Sequence, residues 1–271
     1  MTPLEFSAVV FSTSLGAGVL GSMLGIGGGI LLVPFLTLGM GVEMRYAVGA
    51  SIISVIATSS GAAAAYVRDR LTNLRLAMFL EVATTAGALT GAIVAGHLQS
   101  RWLYFIFGGV LAWSALAMIQ RLRHGTGPAL PSDAWADRLR LHGSYTDEAG
   151  ERVEYQVKRP WHGLGLMYIA GTVSGLLGIG SGALKVPAMD LAMRVPLKVS
   201  TATSNFMIGV TAAASAGVYF ARGDIDPFIA GPVCAGVVIG SIIGARHLRK
   251  VRNSSLRLMF VVLLLYVAFQ M

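Results

Sequence analysis

The sequence predicts an all-α polytopic membrane protein made of two inverted-topology repeats, each a glycine-broken helical hairpin plus three transmembrane helices. Three observations predict it. Hydrophobic residues make up 55% of the chain and charged residues only 13%, whereas a soluble domain carries about a quarter charged residues. Apolar stretches of membrane length recur along the chain. Finally, Leu24-Gly25-Ile26-Gly27-Gly28-Gly29 returns as Leu177-Gly178-Ile179-Gly180-Ser181-Gly182, an offset of 153 residues (Gly25 to Gly178), and Val33-Pro34 and Val186-Pro187 follow the two copies. The same offset pairs Gly18 with Gly171, Ser51 with Ser204, Thr58 with Thr211, Tyr66 with Tyr219, Gly87 with Gly240 and Gly91 with Gly244. Self-similarity in a fixed register marks a duplicated structural unit.

Composition narrows the function classes. The net charge of +8 comes with no basic patch interleaved with aromatics, so it reads as lysines and arginines held on the cytoplasmic side rather than as a nucleic-acid surface. The single cysteine, Cys234, lies in an apolar segment and has no intrachain partner for a disulfide. The start, MTPLEFSAVV, lacks the positive charge of a secretory signal and reads as part of the mature fold.

In chain order, repeat one (1–120) opens with an apolar segment from Leu4 to Leu38, interrupted by the glycines. Its second arm, Ile30 to Gly39, spans only about 15 Å as a helix, half a bilayer core. The crossings Ala47–Val67, Leu76–Leu98 and Leu103–Ile119 follow. The polar stretch 121–160 is a cytoplasmic linker. Within it Tyr145–Val157 reads as a small β-hairpin, with a turn at Asp147-Glu148-Ala149-Gly150 and alternating Val153, Tyr155 and Val157. Repeat two (161–271) then gives the broken segment Trp161–Met193 and the crossings Val199–Phe220, Phe228–Gly244 and Leu256–Phe269.

Basic residues arbitrate the topology. If each glycine segment crosses once, the repeats are parallel, and the two sides hold 11 and nine Lys+Arg with Lys185 set aside. If each enters and returns, the repeats are inverted: one side holds only Arg45, Arg101 and Arg222, and the other holds 17. The positive-inside rule selects the inverted arrangement, with both termini periplasmic. The one feature against it is Leu4–Leu24, long enough to span the core by itself.

Paired broken helices at corresponding positions point to a secondary transporter with its site at the midplane. A half-helix starting after Gly29 or Gly182 leaves its first N–H groups unpaired and its positive dipole end at the break, and two such ends make an anion site. Gly27, Gly28, Gly29, Gly180, Ser181 and Gly182 are therefore candidate substrate contacts; the competing reading of the glycines is close helix packing. Ser51 and Thr58 share a helical face, repeated by Ser204 and Thr211, with Thr201 and Asn205 beside them. Their hydroxyls and amide can donate to oxyanion oxygens, or bond their own helix carbonyls. Lys185, three positions past Gly182 in an otherwise apolar arm, either pairs with the anion, snorkels to the interface or pairs with Asp190. Glu81 is the other embedded charge, a proton-coupling carboxylate or an interfacial salt-bridge partner. His97 and His247 lie at membrane ends without metal-ligand spacing. No metal site and no catalytic residue is expected.

The stretch Gly18–Leu36, GxxxxxLGIGGGxxxVPxL, and its echo Gly171–Met189 resemble the sulfite exporter TauE/SafE family of bacterial membrane proteins. The resemblance covers both halves and implies transport of small sulfur-containing or organic anions without cofactor or ATP hydrolysis. Ser181 and Lys185 depart from the copy-one pattern of Gly28 and Leu32. The expected function is export of sulfite or an organosulfonate across the bacterial inner membrane by alternating access, coupled to protons or to the membrane potential, an inside-negative potential itself favouring anion efflux at about 2.3 kcal/mol per charge per 100 mV. The alternatives are an uptake carrier for a related anion, an intramembrane enzyme using Glu81 with His97, and a non-transporting scaffold. Expected partners are the small anion and the lipid bilayer, with room for a homodimer and no nucleic acid.

Overall fold

The computed structural model describes residues 2–124, 133–146, 151–248, 251 and 253–270. The first half builds α1 (Pro3–Leu24), α2 (Gly29–Pro34), a π-helical turn Phe35–Gly39, α3 (Met44–Arg68), α4 (Leu74–Ala95) and α5 (Ser100–His124). The linker contributes α6 (Ala134–Arg138), β1 (Gly143–Thr146) and β2 (Arg152–Tyr155). The second half builds α7 (Pro160–Leu177), α8 (Gly182–Pro187), a second π-helical turn Ala188–Ala192, α9 (Leu197–Ala221), α10 (Pro227–Leu248) and α11 (Asn253–Gln270). Shifting α2, the first π turn, α3 and α4 by the offset of 153 gives the bounds of α8, the second π turn, α9 and α10.

Local chemistry sets these boundaries. Thr2 and Glu5 form a capping box at the start of α1, and Pro160 occupies the first turn of α7, where a missing N–H costs nothing. Pro34 and Pro187 cannot donate inside their helices, and directly after each the hydrogen bonding lengthens to the i→i+5 pattern: Met40 N–H donates to the Phe35 carbonyl at 3.1 Å and Met193 N–H to Ala188 at 3.2 Å.

Among the described residues, five helices are long and apolar enough to cross a membrane: α1, α3, α4, α10 and the Arg101–Ile119 part of α5. Their apolar character runs all round. On α4, Leu80, Ala88 and Ala92 face the protein while Met78, Val82, Leu89 and Ile93 are exposed, the outer stripe that lipid would cover. α1 has 22 residues, a full crossing by length, whereas Gly29–Gly39 is a short apolar segment. The two arms of the first broken segment are therefore unequal in length.

The two halves interlock rather than sit side by side. α1 packs along α10, and α4 along α7. Small residues allow the approach: a side chain at Gly87 or Gly91 would strike the Tyr168 or Thr172 carbonyl, and one at Gly240 or Gly244 the Leu15 or Val19 carbonyl, the same contact shifted by the offset.

The linker hairpin is present. Strands β1 and β2 are antiparallel, pairing Tyr145 with Val153 and Gly143 with Tyr155; the expected turn at Asp147-Glu148-Ala149-Gly150 lies outside the described residues. The second strand stops at Tyr155, and Val157 is instead buried with its N–H bonded to His142 Nδ1 at 3.0 Å. α6, capped by Asp133, was not legible in the sequence. The hairpin docks on the α3–α4 corner through Asn73, whose Nδ2 donates to the Leu141 carbonyl at 2.8 Å and the Tyr155 hydroxyl at 3.0 Å.

Candidate substrate site at the paired helix breaks

Each break begins where a helix meets a residue that leaves right-handed geometry. Gly25 caps α1 at φ +73° and Gly178 caps α7 at φ +64°, both left-handed, a conformation that costs glycine little. Gly27 and Gly180 repeat it at φ +76° and +75°. The chain thereby turns twice within four residues before α2 and α8 start.

The two breaks lie backbone to backbone. A side chain at Gly29 would sit 3.1 Å from the Ile179 carbonyl, and one at Gly182 would strike the Gly25 carbonyl and Ile26 Cα. Val55, in the middle of α3, flanks both Gly27 and Gly180. The breaks are thus brought together at the centre of α3 and α9, as a shared site requires.

Polar side chains of α3 and α9 hold this junction. Ser51 Oγ donates to the Gly178 carbonyl at 2.8 Å, and Ser204 Oγ to the Gly25 carbonyl at 2.6 Å. Asn205 Nδ2 donates to the Ser22 carbonyl at 2.6 Å, and Tyr66 does the same at 2.9 Å. Tyr219, its equivalent, donates to the Gly175 carbonyl at 2.7 Å. Thr58 Oγ1 accepts the Gly28 N–H at 3.2 Å. A helix end leaves its last carbonyls and first N–H groups unpaired, and in this form Ser51, Ser204, the Asn205 amide and Thr58 answer that need. Three expected contacts keep unused polar atoms in the same junction: Ser181 Oγ, Thr201 Oγ1 and Asn205 Oδ1 are buried without a hydrogen-bond partner.

Lys185 is fully buried on α8. Its Nζ lies 3.4 Å from Glu81 Oε2 on α4 and 2.7 Å from Thr211 Oγ1 on α9. Of the readings weighed from sequence, full burial leaves no snorkelling, and Asp190 instead accepts two bonds from Arg257 Nη2 at 3.1 and 3.0 Å. Glu81 is itself buried and also accepts from Thr211 at 2.6 Å, Thr84 at 3.1 Å and Thr85 at 3.2 Å. The signal available was that Glu81 and Lys185 are both charges embedded in apolar segments; their pairing across 104 residues leaves no local trace. His97 is exposed, sixteen positions from Glu81 (81 to 97) and bonded to the Ile93 carbonyl, which separates the two groups that an enzyme reading would join. Among the described residues no cluster of three His, Cys, Asp or Glu side chains could hold a metal.

Glycine caps, a following proline and the hydroxyl-bearing helix that braces them thus recur as one module. The family described as sulfite exporter TauE/SafE matches residues 10–271. The chain belongs to the sulfite exporter TauE/SafE family. Relatives resemble it over most of their length. "Probable membrane transporter protein YunE" of Bacillus subtilis (strain 168) is 27% identical over 263 residues, 94% of this chain and 93% of that protein. "Probable membrane transporter protein YdhB" of the same strain is 22% identical over 84% of this chain and 85% of its own. A "Probable membrane transporter protein" of Xylella fastidiosa (strain 9a5c) is 25% identical over 82% and 77%. No solved structure matches the chain. Family membership and the five apolar helices together make this TauE/SafE protein a multi-pass membrane protein.

Proposed function

We propose that this TauE/SafE protein is a secondary transporter that moves a small oxyanion, sulfite or an organosulfonate, outward across a bacterial inner membrane by alternating access. The observation that carries the reading is Lys185, a fully buried ammonium three residues past Gly182, at the junction of the two breaks. A lysine inside a membrane segment is a functional candidate by default because its burial is costly without a purpose. Ser181 and Thr201 supply hydroxyl donors without a partner in this form, the donors that oxyanion oxygens accept. The relatives' names, probable membrane transporter proteins, support a carrier, and the family description, sulfite exporter, supports a small oxyanion as its cargo.

Alternating access follows from inverted repeats rocking about a fixed central site. The reciprocal bonds Ser51 to Gly178 and Ser204 to Gly25 are those of a pseudo-two-fold axis through the junction. The split of basic residues supports placing that axis in the membrane plane, with both termini periplasmic.

The test is flux in proteoliposomes across sulfite, sulfoacetate, taurine and sulfate, wild type against Lys185→Ala. Saturable flux of a sulfur oxyanion, strongly reduced by the substitution, is expected. Absence of flux for every member of the panel would overturn the substrate class.

A further inference from the structure

We infer that Glu81 is the coupling carboxylate of this carrier: it holds Lys185 as an electroneutral pair between turnovers and, once protonated, releases that ammonium to the anion. One proton then travels with each monoanion. The inference rests on the carrier reading above and adds the coupling ion and the residue that carries it.

The charges require an exchange of this kind. Lys185 Nζ and Glu81 Oε2 are 3.4 Å apart, with Thr211 Oγ1 bridging them at 2.7 and 2.6 Å. An anion that met Lys185 while Glu81 stayed ionised would set two negative charges against one ammonium in a buried site, which is strongly unfavourable. A proton from water, bound to the Glu81 carboxylate, removes its charge. The ammonium keeps its own proton and turns its charge to the anion. The loaded site is neutral and so is the returning pair.

The surroundings of Glu81 can accommodate both forms. When ionised it accepts from the hydroxyls of Thr84, Thr85 and Thr211. When protonated it becomes a donor, and the same threonine oxygens can accept. Thr84 and Thr211 can then turn their own protons to the Leu80 and Met207 carbonyls, each 3.0 Å away. Among the described residues of the elements packed on α4, the charged group facing Glu81 is Lys185 of α8. α9 presents Thr211, and α7 carries an exposed His162 and presents Tyr168 to Thr90 instead.

The pair is not needed to hold the fold. At the offset of 153, Lys185 corresponds to Leu32, Glu81 to Cys234 and Thr211 to Thr58. At the first break Leu32 is buried in an apolar cluster with Val233 and Val237, against which Cys234 packs, and Thr58 accepts the Gly28 N–H instead. The same junction is therefore built twice, once around an aliphatic side chain and once around an ion pair.

Electroneutral cotransport also fixes the driving force. The membrane potential does no work on such a step, so export runs down the anion's own gradient and is opposed only by an inward proton gradient.

The experiment measures sulfite in proteoliposomes, with the potential clamped by valinomycin and potassium, as exchange without gradients and as net flux under an imposed pH gradient. Wild type and Glu81→Gln meet the same solution chemistry of sulfite, so the comparison isolates the protein. Wild type is expected to approach about tenfold accumulation per unit of pH gradient and to ignore the clamped potential. Glu81→Gln is expected to keep sulfite exchange and lose the pH-driven component, and Glu81→Asp to regain part of it. Glu81→Gln with an intact pH response would overturn the inference. So would a folded Glu81→Gln that loses exchange together with net flux, or a wild type whose sulfite flux follows potential and not pH. A wild type silent toward sulfite and the other sulfur oxyanions removes the carrier reading itself, and this inference with it.

Discussion

Ser51 on α3 donates its hydroxyl proton to the carbonyl of Gly178, 2.8 Å away in the other half of the chain, and Ser204 returns the bond to Gly25 at 2.6 Å. Each bond closes the end of a helix that has just been broken, so each half depends on the other for its cap. Removing one hydroxyl leaves a buried carbonyl without a partner, a loss of about 1–3 kcal/mol. Ser51→Ala and Ser204→Ala should each lower thermal stability in detergent by that amount. Because the breaks touch, the double variant should depart from additivity by more than about 0.5 kcal/mol, unlike distant sites.

The contact between the breaks gives a sharper prediction at Gly182. A Cβ there would strike the Gly25 carbonyl and Ile26 Cα, which are backbone and cannot swing aside. Gly182→Ala should force the breaks apart and abolish anion flux, with a destabilisation of about 1–3 kcal/mol typical of overpacking. Gly217 on α9 has nothing within 4 Å of its added Cβ, so Gly217→Ala should leave flux unchanged and gain about 0.5–1 kcal/mol of helix stability. Equal flux in the two variants would remove the junction from the transport cycle.

Much of this arrangement was legible because it is local or repeated. The glycine stretches 24–29 and 177–182 were legible as departures from helical geometry, though not the left-handed caps at Gly25 and Gly178, and the repeat offset of the sequence reappears between the bounds of α3 and α9. Gly87, Gly91, Gly240 and Gly244 turned out to serve the bland purpose, close contact between helices. What the sequence withheld was choice of partner. Ser51 and Ser204 looked like anion donors, and only the folded chain shows them spending their protons on helix ends. Glu81 could be read as a coupling carboxylate or as an interfacial partner, because the second half has Cys234 in its place and nothing local pointed to Lys185 of the far half. α6 is five residues long, too short for periodicity to reveal.

The linker supplies a prediction with a pH sign. Burial raises Tyr155 from 10.0 to about 12, opposed in part by its bond with Asn73. Its neutral form is favoured in the docked hairpin, so docking keeps its full stability below pH 10 and loses it as pH rises toward 12. A difference titration of tyrosine absorbance, wild type minus Tyr155→Phe, should show a midpoint near 12 rather than 10. Asn73→Ala removes the bonds to Leu141 and Tyr155 and should make the hairpin cleavable by protease while the helices stay resistant.

The orientation of the halves is open to a direct test through the single cysteine. In a Cys234→Ala background, new cysteines at Arg45 before the body of α3 and at Pro227 at the start of α10 report two loops. Both positions are exposed. If the broken segments enter and return, Arg45 and Pro227 lie on one side, with Arg138 of the linker on the other. If they cross, Arg45 and Pro227 lie on opposite sides. The inverted arrangement follows from the positive-inside rule, so a membrane-impermeant maleimide applied to whole cells should label Arg45→Cys and Pro227→Cys alike and reach Arg138→Cys only after lysis. Labelling of Arg45→Cys without Pro227→Cys would make the repeats parallel. It would also remove the pseudo-two-fold axis in the membrane plane on which alternating access about Lys185 depends.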